Sequence, residues 1–315
     1  MERILFMGTP GFAVPSLEAL IERYQVVGVV TQPDRRVGRG RKLLPSPVKK
    51  VALGHGLDVL QPKTLRRPEV VENLRSLEPE AIVVVAYGQI LRPEVLSIPP
   101  RGCLNVHASL LPKYRGASPI VAALLAGENE TGITIMLMDE GMDSGPILAQ
   151  RSLAVLPDDT AQSLVEKLAR LGADLLVETL PAWLRGEIEP QVQDDSRATY
   201  TRLVKKEDGL VDWSLSAAEI ALRSRAYYPW PSAYTYWQGK LLKLLRTEPL
   251  SRWSGSEKPG EVLGLPEGVA VATGQGALLL KEVQLAGRRS MEAEEFVRGQ
   301  RGFVGAQLGN EAQTG

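Results

Sequence analysis

Three short runs, residues 3–7, 25–30 and 81–86, are apolar without alternation, and the third reads Ala81-Ile82-Val83-Val84-Val85-Ala86. A strand that buries one face alternates apolar with polar residues, so continuous runs of this length fit strands covered on both sides, as in a parallel sheet. Helical patterns lie between them. Pro15 to Arg23 gathers Leu17, Leu20 and Ile21 on one face, and Pro47 to Gly54 is a second short helix ended by glycine. The alternation predicts βαβ units and an open α/β sheet, whose ligands bind beyond the carboxyl ends of the strands. Chemistry is therefore to be sought in the loops that follow strands.

Residues 160–185 set Leu164, Leu168, Leu171, Leu175, Leu176 and Leu180 along a long amphipathic helix that closes a first domain, 1–188. The polar, strand-poor stretch that follows, 189–206, reads as a linker with few packing anchors. In 207–315, Ser216 can cap a helix running to Arg225, and short apolar runs follow at 233–237, 240–246, 261–264, 269–273 and 277–283, separated by Gly and Pro. Five such strands predict a small C-terminal β-barrel.

Charge narrows the partners. Thirty-seven Lys+Arg balance 37 Asp+Glu, so any nucleic-acid binding must come from local patches. Cys103 is the only cysteine, which excludes a disulfide framework and a multi-thiolate zinc site and points to the cytoplasm. The apolar opening is too short for a secretory core, and nothing approaches ~18 uninterrupted apolar residues, so neither export nor membrane spanning is expected. No apolar surface stripe is left unassigned to a core, which predicts a monomer.

The densest chemistry lies in Gly102-Cys103-Leu104-Asn105-Val106-His107-Ala108-Ser109-Leu110-Leu111-Pro112-Lys113-Tyr114-Arg115-Gly116. With 103–107 a strand, period-two alternation puts Asn105 and His107 on one face at its carboxyl end. A hydrogen-bonded core histidine is the bland reading of His107, while His55, between two glycines past a helix, suits a surface role. Residues 133–146 form another strand running into a loop with Asp139, Glu140 and Asp143. Carboxylates suit a hard cation, but with no His or Cys nearby a solvated turn is the better reading and no metal is expected. Alternatively Asp143 meets Asn105 and His107. An amide and an imidazole can stabilise an oxyanion while a carboxylate orients the ring or takes a proton, which fits acyl transfer to an amine. No covalent nucleophile is needed: Cys103 lies deeper in the strand and reads as packing, and no nucleophile elbow is present.

The run Asn105-x-His107-x-Ser109-Leu110-Leu111-Pro112, with Gly116 and then Met138-Asp139-x-Gly141-Met142-Asp143-x-Gly145, resembles the signature of the 10-formyltetrahydrofolate-dependent formyltransferases. Further segments are similar to the branch that formylates methionyl-tRNA: Phe6-Met7-Gly8-Thr9-Pro10, Thr31-Gln32-Pro33-Asp34-Arg35, Gly38-Arg39-Gly40, Pro45-Ser46-Pro47-Val48-Lys49, Val85-Ala86-Tyr87-Gly88, Asp212-Trp213-Ser214 and Pro229-Trp230-Pro231. Ala108 departs from the glycine of many members and Arg36 from the proline of some. The resemblance implies Asn105, His107 and Asp143 as the catalytic trio. It implies a Rossmann-like first domain that binds 10-formyltetrahydrofolate through Tyr87, Gly88, Gln89, Ile90, Leu91, Ser109, Leu110, Leu111, Pro112 and Glu140. The second domain becomes an OB-like barrel, and the acceptor becomes the methionine α-amine of initiator methionyl-tRNA, for translation initiation.

Local charge bears on the tRNA. Between Gln32 and Lys50, seven basic residues (Arg35, Arg36, Arg39, Arg41, Lys42, Lys49, Lys50) face Asp34 alone, and Gly38 and Gly40 predict a flexible, phosphate-tracking arm. The resemblance assigns Arg39 to the acceptor end. Residues 206–315 are neutral, with 13 Lys+Arg and 13 Asp+Glu. Residues 220–247 nevertheless hold Arg223, Arg225, Lys240, Lys243 and Arg246 with no acidic residue, interleaved with aromatics. Trp230 and Tyr234 are expected in the barrel core, and Lys240, Lys243 and Arg246 at the tRNA. Three other readings stand beside this one. A dinucleotide-dependent oxidoreductase lacks its glycine fingerprint, since Gly8-Thr9-Pro10-Gly11 has the wrong spacing and serves a tight turn. A formyltransferase acting on a small amine shares the catalytic domain, and a pure RNA-binding module leaves the trio unexplained.

Overall fold

The computed structural model describes residues 1–37 and 42–309, the side chains of Arg36, Val37 and Lys42 excepted. Two compact units emerge: 1–119 with 130–155 and 165–202, and 120–129 with 156–164 and the residues from 203 onward. In chain order the first contains β1 (Arg3–Gly8), β2 (Gln25–Val30), β3 (Arg35–Val37), β4 (Lys42–Leu44), β5 (Val59–Leu60), β6 (Ala81–Val85), β7 (Cys103–His107), β8 (Arg115–Gly116), β9 (Glu130–Leu137), β10 (Ile147–Ala154) and β11 (Tyr200–Thr201). Its helices are α1 (Val14–Arg23), α2 (Pro47–Gly54), α3 (Pro68–Arg75) and α4 (Pro93–Leu96); α5 (Pro119–Leu125) falls almost wholly in the second unit, and α6 (Ala161–Arg185) begins there.

Seven strands make the main sheet, in the order β10-β9-β7-β6-β1-β2-β5. The five from β5 to β7 are parallel, and β9 and β10 add an antiparallel edge. Continuous apolar sequence has its expected outcome, since all five residues of β6 and Ile4 to Met7 of β1 are buried. Each large aliphatic side chain so covered contributes roughly 1.5–3 kcal/mol. The chain turns to opposite sides of β1 for β2 and for β6, which places a switch point at the carboxyl ends of β1 and β6. Gly8 belongs to this turn, for a Cβ there would stand 2.8 Å from Phe6 Cε1 and 3.0 Å from the Val85 carbonyl. Gly11 has open space around it. Thr9 Oγ1 donates to the Tyr87 carbonyl (2.9 Å), and Gln32 Nε2 donates to the same oxygen (3.3 Å), so three strand-end loops are tied together.

Two expectations change here. The basic arm has paired flanks, because β3 and β4 form an antiparallel hairpin with Arg35 opposite Leu44; Arg39 and Arg41 lie outside the described residues. The stretch read as an anchor-poor linker is instead laced into the first unit. Gln191 bridges Ile147, β11 pairs with β8, and Gln193 is buried. The Gln193 side chain satisfies loop carbonyls rather than water, while most polar neighbours stay exposed, and composition does not distinguish those two uses.

In the second unit, Ser216 caps α7 (Ala217–Ala226) through a reciprocal pair with Glu219. The strands β12 (Ala233–Trp237), β13 (Lys240–Leu250), β14 (Val262–Leu265), β15 (Gly268–Ala272), β16 (Ala277–Leu285) and β17 (Met291–Glu292) form one antiparallel sheet, β12-β13-β16-β15-β14, with β17 on β16, followed by α8 (Ala293–Gly299). Residues 307–309 close it into a small barrel, with Gly309 bridging Tyr236 on β12 and Gln307 bridging Glu261 beside β14. Inside, Trp237, Phe296 and Phe303 pack edge to face at 5.0–5.7 Å between centroids. Tyr234 is buried as expected, but Trp230 is 59% exposed and is not core.

Candidate active site

β7 ends where the parallel part of the sheet meets its antiparallel edge, and Asn105 and His107 leave it on one face. Asp143 comes from the loop between β9 and β10 and takes φ +50°, a left-handed conformation that aspartate tolerates better than most side chains. The three meet. Asn105 Nδ2 donates to Asp143 Oδ1 at 3.3 Å, and His107 Nδ1 lies 3.6 Å from Asp143 Oδ2. That second oxygen also accepts the Gly116 backbone N–H at 2.7 Å. Only glycine fits at 116, where φ is +108° and a Cβ would stand 2.5 Å from the Thr201 carbonyl.

The tautomer of His107 follows from its other nitrogen. Nε2 is 3.1 Å from the Tyr114 carbonyl, an acceptor only, so the neutral ring carries its proton on Nε2 and a lone pair on Nδ1. Burial lowers the pKa of His107 below its ordinary 6.5, against the opposing pull of the Asp143 carboxylate and the Tyr114 carbonyl. The imidazole is therefore neutral near pH 7. Its bare Nδ1 can take a proton beside a carboxylate and can donate to an oxyanion only afterwards. Burial pushes the Cys103 thiol up to about 12, which suits its packing role.

The expected folate residues separate by exposure. Tyr87 and Leu91 are core side chains, and Tyr87 carries a hydroxyl without a partner among the described residues. Gln89 is engaged with Leu65 N and the Pro62 carbonyl. Gly88 has only Gln32 Nε2 near an ideal Cβ, at 3.9 Å, and Ile90 is 83% exposed. Among the described residues no hydrogen bond is made by the backbone N–H groups of Gly88 to Leu91. An apolar surface beside unengaged backbone donors fits a flat, polar-edged heterocycle. Across the site, Ser109 Oγ donates to the Lys113 carbonyl, Leu111 is buried with its N–H on Thr134 Oγ1, Leu110 packs beside Gly132, Pro112 is half-buried and Glu140 is exposed. No group of three His, Cys, Asp or Glu that could hold a metal exists among the described residues, and no described helix is long and apolar enough to cross a membrane.

Of the expected tRNA contacts, Arg35 and Lys240 are exposed and Lys243 is half-buried opposite Tyr234. Arg246 is spoken for: it binds Glu292 at 2.8 and 3.0 Å in a cavity that Glu248, Glu267 and Glu294 also line. Sequence reasoning missed Tyr114, Gly116 and Gln193, although the first two stand in the motif that drew attention to Asn105.

Residues 2–180 match the family described as Formyl transferase, and residues 203–301 match Formyl transferase, C-terminal domain. The chain belongs to the formyl transferase family. It is 55% identical over 300 residues to a protein of Chloroflexus aurantiacus named Methionyl-tRNA formyltransferase, covering 94% of this chain and 96% of that one. A protein of the same name from Roseiflexus sp. (strain RS-1) is 51% identical over 310 residues, covering 98% and 95%. The solved N-formyltransferase of Helicobacter canadensis, in complex with folinic acid and dTDP-3-aminofucose, superposes with a TM-score of 0.65 at 20% identity over 89% of this chain and 99% of that one. HypX from Aquifex aeolicus with tetrahydrofolic acid gives 0.61 at 20% identity over 94% and 46%. At such identity the likeness is one of fold.

Proposed function

We propose that this chain, acting in the cytoplasm, transfers the formyl group of 10-formyltetrahydrofolate to the methionine α-amine of initiator methionyl-tRNA. The reading is carried by the meeting of Asn105, His107 and Asp143 at a strand end, in a chain whose relatives of that name are 51–55% identical over nearly its whole length. The folate supplies a formyl carbon bonded to a nitrogen that can leave. Gly88 to Ile90 hold it through backbone donors and the Ile90 surface. Asn105 keeps a second amide hydrogen, beyond the one aimed at Asp143, for the oxygen that gains charge. His107 receives at Nδ1 the proton lost by the attacking amine, Asp143 Oδ2 steadies the imidazolium, and that proton is then available to the departing nitrogen. While protonated, His107 joins Asn105 in holding the oxyanion. Arg35, Arg36, Arg39, Arg41, Lys42, Lys240 and Lys243 meet tRNA phosphates, with Arg246 weakened by Glu292.

A formyl-transfer assay comparing initiator methionyl-tRNA, elongator methionyl-tRNA and small amines tests the substrate. Transfer confined to the initiator is expected. Transfer to a small amine alone would leave the chemistry standing and remove the tRNA.

A further inference from the structure

Resting on that assignment of Asp143, we infer that Gln193 is a positioning residue for the reaction: it fixes the backbone of the Asp143 loop, and buried Arg115 fixes Gln193. The side chain of Gln193 is 6% exposed, and its amide nitrogen donates to two carbonyls of the loop, Asp143 O at 2.9 Å and Gly145 O at 2.7 Å. These bonds take up both amide hydrogens, and one of them falls on the carbonyl of Asp143, the residue held at positive φ. Its oxygen accepts from Arg115 Nε at 3.1 Å and Nη2 at 2.9 Å. Arg115 is 2% exposed and is secured further by Asp195 Oδ1 (2.7 Å) and the Tyr200 hydroxyl (3.3 Å).

The arrangement closes on itself. Arg115 holds Gln193 through its side chain, while the next residue, Gly116, gives its N–H to the Asp143 carboxylate. Asp143 is thus fixed at its backbone by one arm and at its carboxylate by the other. A second set of bonds ties the same segment to the other side of the site: Tyr114 N donates to Thr199 Oγ1 (2.8 Å) and Arg115 N to the Thr199 carbonyl (2.8 Å). Tyr114 is the residue whose carbonyl holds His107. Residues 193–199 therefore brace both partners of the proton-transfer pair without reaching the reacting atoms. Shifts of about 1 Å in a catalytic group cost up to about 10²-fold in rate, which gives this bracing a kinetic consequence.

The test uses the full chain with initiator methionyl-tRNA and a folate formyl donor, comparing Gln193→Ala, Gln193→Glu, Asp143→Asn and the double variant Gln193→Ala/Asp143→Asn. Gln193→Ala is expected to lower kcat by roughly 10- to 100-fold with KM for tRNA unchanged. Gln193→Glu keeps the volume and the pairing with Arg115 but sets an acceptor against two carbonyls, so it should lose kcat as well, with the folded state checked by circular dichroism. If Gln193 acts through Asp143, the alanine costs little more once Asp143 is already asparagine. Wild-type kcat in Gln193→Glu, or losses that multiply in the double variant, would overturn the inference while Asp143→Asn stays impaired. Full activity in Asp143→Asn would instead sink the catalytic assignment itself, and the inference with it.

Discussion

Around Asp143, buried polar groups are matched almost one to one: both carboxylate oxygens have donors, the carbonyl has Gln193, and His107 is held from its far side by Tyr114. Along β13, Lys240, Arg246 and Glu248 are exposed, and some charges neutralise one another, as Arg246 does with Glu292 and Lys281 with Glu248. The first region spends its polarity on fixing atoms. In the second, exposed charges are screened by salt, a condition that weak, additive contacts with a long polyanion tolerate. Under the proposed function, precision and affinity would draw on opposite environments within one chain.

The sharpest way to break this contrast is Asn105→Ala, expected to lower kcat by about 10²–10³ with KM for tRNA nearly unchanged in steady-state assays. A rise in KM instead would mean that the buried region also binds the tRNA. Lys240→Ala/Lys243→Ala is expected to do the reverse, raising KM for tRNA at constant kcat and flattening the salt dependence of binding by about one unit of slope per lysine. An unaltered slope would remove β13 from the interface. The pH profile sharpens the electrostatic half of the comparison. Because the pKa of His107 is lowered, activity should fall on the acid side with a midpoint below 6.5, as protonation fills Nδ1. In residual Asp143→Asn activity that limb should move lower still, since an attracting carboxylate is gone. Smallest of all, Arg246→Ala should change stability by no more than about 1 kcal/mol, because both partners are largely exposed. Thermal unfolding would register a larger loss.

Much of this contrast was legible in the sequence, for reasons that differ between the regions. The parallel strands and the barrel strands announce themselves through the polarity period, and alternation along 103–107 is enough to put Asn105 and His107 side by side. Asp143 could be nominated, not placed, because its approach depends on a hairpin turn and on Gly116. Gln193 was invisible: an amide that braces a buried loop and one that faces water look alike in a polar stretch. Trp230 errs in the other direction, an aromatic ring that sequence assigns to the core and the fold leaves outside.

The seam of the barrel also sets a timetable. Residues 305–309 supply the bonds that occupy the outer edges of β12 and β14, including Tyr236 with Gly309, Val262 with Ala306 and Gly260 with Leu308. A ribosome adding about 5–20 residues per second needs roughly one to five seconds to go from Leu285 to Gly309. Until those residues arrive, β12 to β16 lack their closure, and both borders offer unpaired backbone to any neighbouring chain. Nascent copies on one message are such neighbours, so crowded synthesis is the circumstance in which this fold is most exposed to pairing with itself.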